Sequence, residues 1–379
     1  MNRKIYKRIL EKINFLDRIF LIIIFIATFS IVLFLPTLGN PDYSAYWKLF
    51  TWGDYYSKLE FGQLTLFTSL TSFLNNIFDY PSFRFVLASF QIISFSYIFY
   101  RLKFRLSDIT FFTFLPFLAF ILLKIHVQIR ESIAILFWMI SLIDLGKSKY
   151  INLKNIALFI ISSSMHISVI LWWIPTTIYS FKSISAKLKL FLNLCFFSFL
   201  GVFAGSTRLR VFIEHLLDGS LSINIFSQIS QFPNKNLLLL HGPNIYFPTV
   251  EITIIKSIYW ISCFSLILLI WLDEIKRKTV LSKINFKINS ENFFGFIGLY
   301  GSLLFLPFAS FFSYFEGLTS HGYNYIFRIL FILLFLLSLY RSLTSPRNFL
   351  SIVLNSFLAL NVLRIIFNLM RTFINYNFL

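Results

Sequence analysis

The sequence contains little charge: only 13% of its 379 residues are Asp, Glu, Lys or Arg, whereas 57% are hydrophobic. Glycine (13 residues) and proline (10) are also scarce, which excludes collagen-like and glycine- or proline-rich disordered chains. Uncharged apolar runs occupy residues 20–35 and 331–339. A soluble domain does not need so much apolar sequence, so the composition predicts an all-α fold, a polytopic α-helical membrane protein.

Cysteine is nearly absent, which limits the chemistry that the chain can support. The two cysteines, Cys195 and Cys263, lie in separate apolar segments and form neither a disulfide pattern nor a metal-ligand pattern. The sequence also lacks a glycine-rich phosphate loop, an HExxH motif and a GxSxG motif. We therefore predict a reaction that uses no metal and no cofactor.

Acidic residues are few, with 16 Asp and Glu against 34 Lys and Arg, which gives a net charge of +18. In a soluble protein this charge would indicate a nucleic-acid partner. Here the cations cluster between apolar segments, where they set membrane topology, and no nucleic-acid partner is predicted. The basic segment 1–18 precedes an apolar run that lacks a small-x-small cleavage site, which predicts a retained first helix with a cytoplasmic N-terminus.

The positive-inside bias organises the chain as a single polytopic domain over residues 1–379, with about 9–11 crossings. We expect external loops at 39–60 and 207–250 and a cytoplasmic loop at 273–290. Residues 64–78 are too polar for a span that faces lipid, and they predict a re-entrant or interfacial helix. The predicted spans are 19–38, 82–100, 109–126, 131–146, 190–206, 252–272, 292–312, 325–343 and 349–369.

Residues 155–181 allow two interpretations. One straight helix would place Lys182, Lys187 and Lys189 outside and would invert the rest of the topology. Two short helices that meet near residues 164–166 keep these lysines in the cytoplasm, and this hairpin violates fewer rules. A hairpin requires broken helical backbone beside His166, which a membrane tolerates only where the backbone faces protein or water.

Several cations fall toward the external ends of the predicted spans, where cations are normally depleted. Lys256 and Arg364 are among them, and for each of these two the alternative is a side chain that snorkels toward water. The remaining cations indicate a cationic pocket for an anion, because arginine forks match phosphate oxygens. They are Arg84, Lys124, Arg130 and Arg328. The alternative for Arg130 is a local ion pair with its neighbour Glu131.

Three residues are candidate catalytic groups. Neutral His166 can take a proton from a sugar hydroxyl, although hydrogen bonds to residues 162–164 would make it a structural histidine. Asp42 and Glu60, in the first external segment, are expected either to orient an acceptor hydroxyl or to be solvated loop charges.

Two further residues are candidates for substrate binding. Tyr46 belongs to an aromatic strip at 43–56 that predicts either an interfacial belt or a surface for sugar stacking. His321 precedes Arg328 at the start of a late span and would lie beside the same cationic pocket.

Five stretches resemble the EpsG-type family of exopolysaccharide proteins, which is related to Wzy-type polysaccharide polymerases. They occur in the order in which the family has them and extend over most of the chain. Glu131 departs from the polar uncharged residue that the family usually has after the motif arginine. The stretches are NPDYSAYWKLF, LEFGQLTLFTSL, QIRESIAILFWMISL, SSSMHISVILWWIP (a His-x-Ser pattern that opens an apolar half-helix) and YNYIFRILFILL.

The resemblance implies a glycosyltransferase in the bacterial cytoplasmic (inner) membrane. It would join polyprenyl-pyrophosphate-linked repeat units on the external face, in capsule, exopolysaccharide or O-antigen synthesis. Its expected partners are these lipid-linked glycans, the lipid bilayer, a chain-length regulator and a flippase. The external cations would hold the pyrophosphate, while a histidine or carboxylate would deprotonate or orient the attacking hydroxyl.

Three other classes remain open from the sequence. A transporter or flippase of lipid-linked oligosaccharides would use the same cations and broken helices without chemistry, although no inverted repeat is visible. A membrane acyltransferase that modifies a surface glycan would need an acidic–histidine pattern, which is hard to locate in this chain. A structural membrane protein would need no site at all.

Overall fold

A computed structural model of the chain provides the fold. It describes residues 46–47, 49–51, 66–102, 120, 129–148, 151–180, 185–206, 209, 253–276, 290–316, 320–345 and 348–360. The predicted span 19–38 and nearly all of 109–126 lie outside the described residues, as does nearly all of the predicted external loop 207–250.

Helices are the only regular secondary structure in the described ranges. They confirm a helix at each predicted span that these ranges cover, as well as the short helix predicted within 64–78. The helices are α1 (Leu66–Asn75), α2 (Tyr80–Arg101), α3 (Ile129–Ser148), α4 (Leu153–Met165), α5 (Ile170–Ser180), α6 (Ala186–Gly205), α7 (Thr253–Lys276), α8 (Ser290–Glu316), α9 (Ser320–Thr344) and α10 (Phe349–Leu360).

Four helices of the described part are long and apolar enough to cross a membrane: Tyr80–Arg101, Lys187–Gly205, Phe293–Ser313 and Ile326–Thr344. The last of these lies at the centre, because every residue from 329 to 342 is buried. By contrast, α2 and α6 each keep large apolar side chains exposed, including Ile93 and Phe191. Such exposed apolar faces are expected of helices that contact lipid, and the fold is that of an α-helical membrane protein.

Helices α2, α3 and α9 run in the same direction. Gln91 Nε2 of α2 donates to the carbonyl oxygen of Ile129 at 3.1 Å, and Arg101 meets Asp144 where α2 and α3 both approach their C-termini. Arg328 of α9 contacts Glu131 near the start of α3, and the rings of Phe95 and Phe335 lie 6.3 Å apart farther along the helices, so α9 runs in the same direction as α2 and α3. We call the beginning of these helices the Arg130 end and their opposite end the Arg101 end.

Helices α8 and α9 pack with very little space between their backbones. A Cβ atom at Gly298 would collide with the backbone nitrogen of Leu337 and would lie 2.8 Å from the carbonyl oxygen of Leu333. Only a residue without a side chain allows such close approach of two helices. This contact fixes α8 against the central helix.

The segment 151–180 folds back on itself, as predicted. Helix α4 ends at Met165, His166 has extended backbone angles, and a 3₁₀ turn at Ile167–Val169 leads into α5. The indole Nε1–H of Trp173 donates to Ser162 Oγ at 3.0 Å. In one continuous helix these residues would be separated by roughly 16 Å, so the contact requires a reversal. The hairpin is therefore confirmed, and its bend lies at His166.

Candidate functional site

A buried ion pair joins α3 to α9 at the Arg130 end. Arg328 Nη2 lies 2.8 Å from Glu131 Oε2, and the two side chains are 11% and 6% exposed. These residues are 197 positions apart in the chain. Glu131 therefore contacts an arginine of a distant helix. The sequence indicated only the adjacent Arg130 as its partner.

Arg130 lies among aromatic rings. Its guanidinium carbon is 5.9 Å from the ring centroid of Tyr46 and 5.9 Å from that of Phe67, and both rings are buried. The two rings contact each other edge to face, with their centroids 5.9 Å apart. Aromatic faces attract a guanidinium by cation–π interaction, which is stronger where water is excluded. The rings therefore limit the positions that the Arg130 side chain adopts.

The beginning of α3 is anchored by side chains from two other segments. The backbone N–H of Arg130 donates to the phenol oxygen of Tyr46 at 3.4 Å, and Gln91 Nε2 lies 2.5 Å from Ser132 Oγ. The first N–H groups of a helix have no partner within the helix. Tyr46 supplies one, so it holds both the backbone and the side chain of Arg130.

His166 caps the two helical segments that meet at the bend. Its backbone N–H donates to the carbonyl oxygen of Ser162 at 3.1 Å, and its carbonyl oxygen accepts from the N–H of Val169 at 3.2 Å. Its Nδ1 lies 2.7 Å from Ser168 Oγ and accepts the backbone N–H of Ser168 at 3.3 Å. The imidazole ring is thus bonded to Ser168, whereas the sequence pointed to residues 162–164 as the structural alternative.

His166 lies at the same level of the helix bundle as Arg130. Helices α3 and α4 are antiparallel, and Ser141 Oγ donates to Asn155 Oδ1 at 2.8 Å. Arg130 precedes Ser141 by about three turns, and His166 follows Asn155 by about three turns. The turn that follows His166 packs against α3. The bend of the hairpin is therefore at the Arg130 end.

The other predicted site residues are distributed as follows. Arg84, half-buried in the first turns of α2, belongs to the Arg130 end. His321 lies on α9 about two turns before Arg328, in the direction of the same end. Asp42, Glu60 and Lys124 lie outside the described residues.

A different set of charges joins helices at the Arg101 end. Asp144 of α3 lies 3.1 Å from Arg101 Nη2 of α2 and 2.5 Å from Lys154 Nζ of α4. The carboxylate accepts a hydrogen bond from Arg101, forms an ion pair with Lys154, and so connects three helices. These residues are far from Arg130 along the helix axes, so they stabilise the bundle without contributing to the Arg130 cluster.

A buried arginine joins α7, α9 and α10, and the sequence did not reveal it. The Arg341 side chain has no exposed surface; its Nη2 lies 2.9 Å from Asp273 Oδ2, and its Nη1 donates to Glu274. Arg341 Nε also donates to Ser351 Oγ at 3.1 Å, and the Tyr340 hydroxyl donates to Glu274 at 3.1 Å. Asp273 and Arg341 each stand at the end of an apolar segment. A charge at such a position is usually solvated, so the sequence showed no sign of this buried cluster.

Sequence reasoning also missed Phe67 and Ser168 as neighbours of the site. Phe67 is one of many phenylalanines in apolar sequence, and nothing local distinguishes it. Ser168 had a signal, because a side chain that accepts from the backbone N–H two residues later is a common helix-capping geometry. The two-residue spacing of His166 and Ser168 therefore indicated that the two residues could be hydrogen-bonded.

The Arg130 end combines cations with helix termini. Helices α3 and α5 both begin at this level, the latter through its 3₁₀ turn, and helix N-termini favour anions. Arg130 and Arg328 place two cations beside the carboxylate of Glu131. This arrangement is suited to binding an anion with several oxygen atoms. No protein-family model, curated protein or solved structure matches the chain.

Proposed function

We propose that the protein is a polysaccharide polymerase, a glycosyltransferase that joins polyprenyl-pyrophosphate-linked oligosaccharide repeat units. The observation that carries the proposal is the Arg130 cluster: Arg130 against the rings of Tyr46 and Phe67, next in sequence to Glu131 of the buried pair with Arg328. A cation held in a fixed direction next to apolar helices suits a ligand with a charged head and a long apolar tail. The glycan part of the proposed substrate is inferred from the sequence resemblance to the EpsG-type family.

The ion pair gives Glu131 a positioning role in this proposal. A carboxylate bonded to Arg328 Nη2 at 2.8 Å restricts the guanidinium and leaves its remaining N–H groups in a set orientation. It also reduces the cost of burying that charge before substrate binds. Arg130 contributes a second cation beside this pair, and the pyrophosphate is bound by Arg130 and is oriented by Arg328.

The reaction exchanges one bond at the anomeric carbon of the donor sugar. The bond from this carbon to the pyrophosphate oxygen breaks, and its electron pair remains on the pyrophosphate. A new bond forms to a hydroxyl oxygen of the acceptor repeat unit, and the hydroxyl proton passes, directly or through water, to the departing pyrophosphate. Arg130 and Arg328 stabilise the negative charge that grows on the leaving group. Asp42 and Glu60 remain candidates for orienting the acceptor, and no cofactor is required.

The proposed location is the bacterial cytoplasmic membrane, with the Arg130 end facing outward. The chain would be multi-pass with about 9–11 crossings and a cytoplasmic N-terminus. In this orientation Arg101, Lys154 and Lys187 face the cytoplasm, in agreement with the positive-inside bias. A flippase would deliver the lipid-linked repeat units to the external face, and a chain-length regulator would be a second partner.

Reconstituted protein tests the proposal directly. Proteoliposomes supplied with polyprenyl-pyrophosphate-linked repeat units should produce longer glycans, which gel electrophoresis resolves as a ladder. Arg130→Ala should reduce the yield about 10²-fold, in line with the removal of one charge-stabilising group. Lys187→Gln, an exposed cation outside the Arg130 cluster, is the control and should leave the ladder unchanged. A full ladder from Arg130→Ala would contradict the role of the cluster.

Transport of the same lipid-linked glycans is a second candidate, favoured by the bend at His166. Transporters place substrate where membrane helices are interrupted, because the freed backbone groups line the binding site. Helix α4 ends at the level of Arg130, and α5 begins at the same level. Movement of lipid-linked repeat units across the vesicle membrane without chain growth would favour this function over polymerisation.

A further inference from the structure

Helices α3 and α9 carry polar residues at matching positions. Three polar residues of α3 are matched by three of α9 at the same spacing, 197 positions later in the chain. The two helices run in the same direction, so the members of each pair lie at the same level of the bundle. The serine is retained, and the two acidic residues are replaced by arginines. The matched pairs are Glu131 with Arg328, Ser141 with Ser338, and Asp144 with Arg341.

The helix that follows each of these helices is joined to it by the same kind of hydrogen bond. Ser141 Oγ donates to Asn155 Oδ1 of α4 at 2.8 Å, and Ser338 Oγ donates to Asn355 Oδ1 of α10 at 2.6 Å. All four side chains are fully buried. A buried amide is costly without a partner, so each bond fixes one helix against the next at the middle of the bundle.

The charge clusters at the Arg101 end match as well. In each cluster a charged residue of the middle helix contacts the last turn of an earlier helix and the first turn of the following one. The contacts are those of Asp144 with Arg101 and Lys154, and those of Arg341 with Asp273 and Ser351. We call α2, α3 and α4 the first unit, and α7, α9 and α10 the second unit.

We propose that the two units are copies of one structural element, related by a pseudo-twofold axis parallel to the helices, and that the anion site lies at their boundary. Matched residues can contact each other only beside such an axis. Glu131 and Arg328 are matched, and their side chains meet at 2.8 Å, so the axis passes between them. Copies that run in the same direction about an axis along the membrane normal are a known arrangement, with substrate bound where the copies meet.

The contacts within a unit differ from those between the units. Asp144 and Arg341 each bind partners of their own unit at the Arg101 end. Between the units, the ring of Phe95 stacks against that of Phe335, with centroids 6.3 Å apart, and the pair of Glu131 and Arg328 joins them at the Arg130 end. Aromatic rings in contact can slide past each other, whereas hydrogen-bonded charges hold a fixed geometry.

Binding of the anion therefore acts on the contact that joins the units. This step rests on the proposed function, in which the pyrophosphate binds the guanidinium of Arg328, the same group that holds Glu131. Rotation of rigid bodies with rearrangement of charge pairs at their interface is an established form of conformational change. The two units rotate as rigid bodies about the Arg130 end when substrate binds, and the displacement is largest at the Arg101 end.

Exchange of the two charges tests the relation between the units without substrate. Matched positions of a twofold arrangement have equivalent backbone directions, so each accepts the side chain of the other. The variant with both Glu131→Arg and Arg328→Glu should unfold near the wild-type midpoint. Either reversal alone buries two like charges and should lower the midpoint by about 6 °C or more. The readout is reaction of buried Cys263 with a thiol dye during heating, with exposed Cys195 replaced by serine.

Distances between spin labels test the motion. The labels are attached to cysteines at exposed positions in protein without its native cysteines: Tyr100 and Leu153 of the first unit, and Leu272 and Phe349 of the second. Leu153 and Phe349 are matched, because each is the first residue of its helix after a capping asparagine. Polyprenyl-pyrophosphate-linked repeat units should change the distance between Leu153 and Phe349 by about 5 Å. The distances from Tyr100 to Leu153 and from Leu272 to Phe349 should remain constant.

The outcomes separate the parts of the proposal. An exchange variant that unfolds as early as the single reversals would overturn the relation between the units. Distances within a unit that change as much as the distance between units would overturn the rigid bodies. A constant distance between Leu153 and Phe349, in protein that makes the glycan ladder, would overturn the motion and leave the polymerase function standing. Absence of both the ladder and any distance change would reject the proposed function and the motion with it, while the exchange variant would still decide the relation between the units.

Discussion

The buried pair of Glu131 and Arg328 permits a quantitative test of the packing at the Arg130 end. Changing Glu131→Gln or Arg328→Gln removes one charge and leaves the other buried. At an effective dielectric constant of about 20, unit charges about 4 Å apart attract by about 4 kcal/mol. Loss of one partner of a buried pair typically costs about 3–5 kcal/mol, since an uncompensated charge remains. Both side chains are nearly enclosed, so each single variant should lose about 3 kcal/mol.

The double variant provides the decisive comparison. With both charges removed, two neutral amides remain at hydrogen-bonding distance, and no desolvated charge is left unpaired. We therefore expect the double variant to be more stable than either single variant, which corresponds to a large coupling energy. Destabilisation equal to the sum of the two single effects would refute the contact.

The two cysteines supply the assay. Cys195 is exposed and Cys263 is buried, so in a Cys195→Ser background only Cys263 remains to report unfolding. Purified protein in detergent is heated with a thiol-reactive dye, and the midpoint of the reaction is compared among the four proteins. Lys187→Gln, which is exposed and lies outside the pair, should not change the midpoint.

The same assay checks three further expectations. Arg341→Gln should cost about 3–5 kcal/mol, because it leaves Asp273 and Glu274 without their buried cation; an unchanged midpoint would contradict the burial of Arg341. Gly298→Ala should lower the midpoint although alanine favours helix formation by about 1 kcal/mol, since its Cβ collides with the backbone of α9; a raised midpoint would mean that α8 and α9 are less close. Hydrogen bonds from Ser82 hold the pKa of Asp79, the N-cap of α2, below its ordinary value of 3.8. The ionised carboxylate of Asp79 therefore stabilises the fold at a pH above 3.8, and this stabilisation is lost as the pH falls through the lowered pKa. The unfolding midpoints of wild type and Asp79→Ala should therefore converge in acid. A difference that stays constant with pH would argue against the cap.

The sequence predicted the helices because their signal is local. Apolar length alone indicated α2, α6, α8 and α9, and the distribution of lysines on either side of residues 155–181 favoured the hairpin over a straight helix. The bend at His166 followed from this constraint, since two lysine groups on one side require a reversal between them.

The charged contacts could not be predicted in the same way. Glu131 has a cation beside it in the sequence, yet the contact that buries it comes from Arg328, and only the parallel arrangement of α3 and α9 brings the two together. Arg341 seemed a typical cation at the end of a span, and its burial depends on α7 and α10. Such contacts depend on helix order and rotation, which packing against neighbouring helices sets and a single sequence does not encode locally.

The enclosure of Arg341 has a consequence for how the chain is made. Enclosing a guanidinium among helices is costly unless acceptors surround it, so its acceptors need to be present when α9 packs into the bundle. Asp273 and Glu274 are synthesised before Arg341, whereas Ser351 emerges from the ribosome after it. Insertion of α9 is therefore favoured by prior insertion of α7, and α10 closes the cluster last. The order of helices along the chain is thus also an order of assembly.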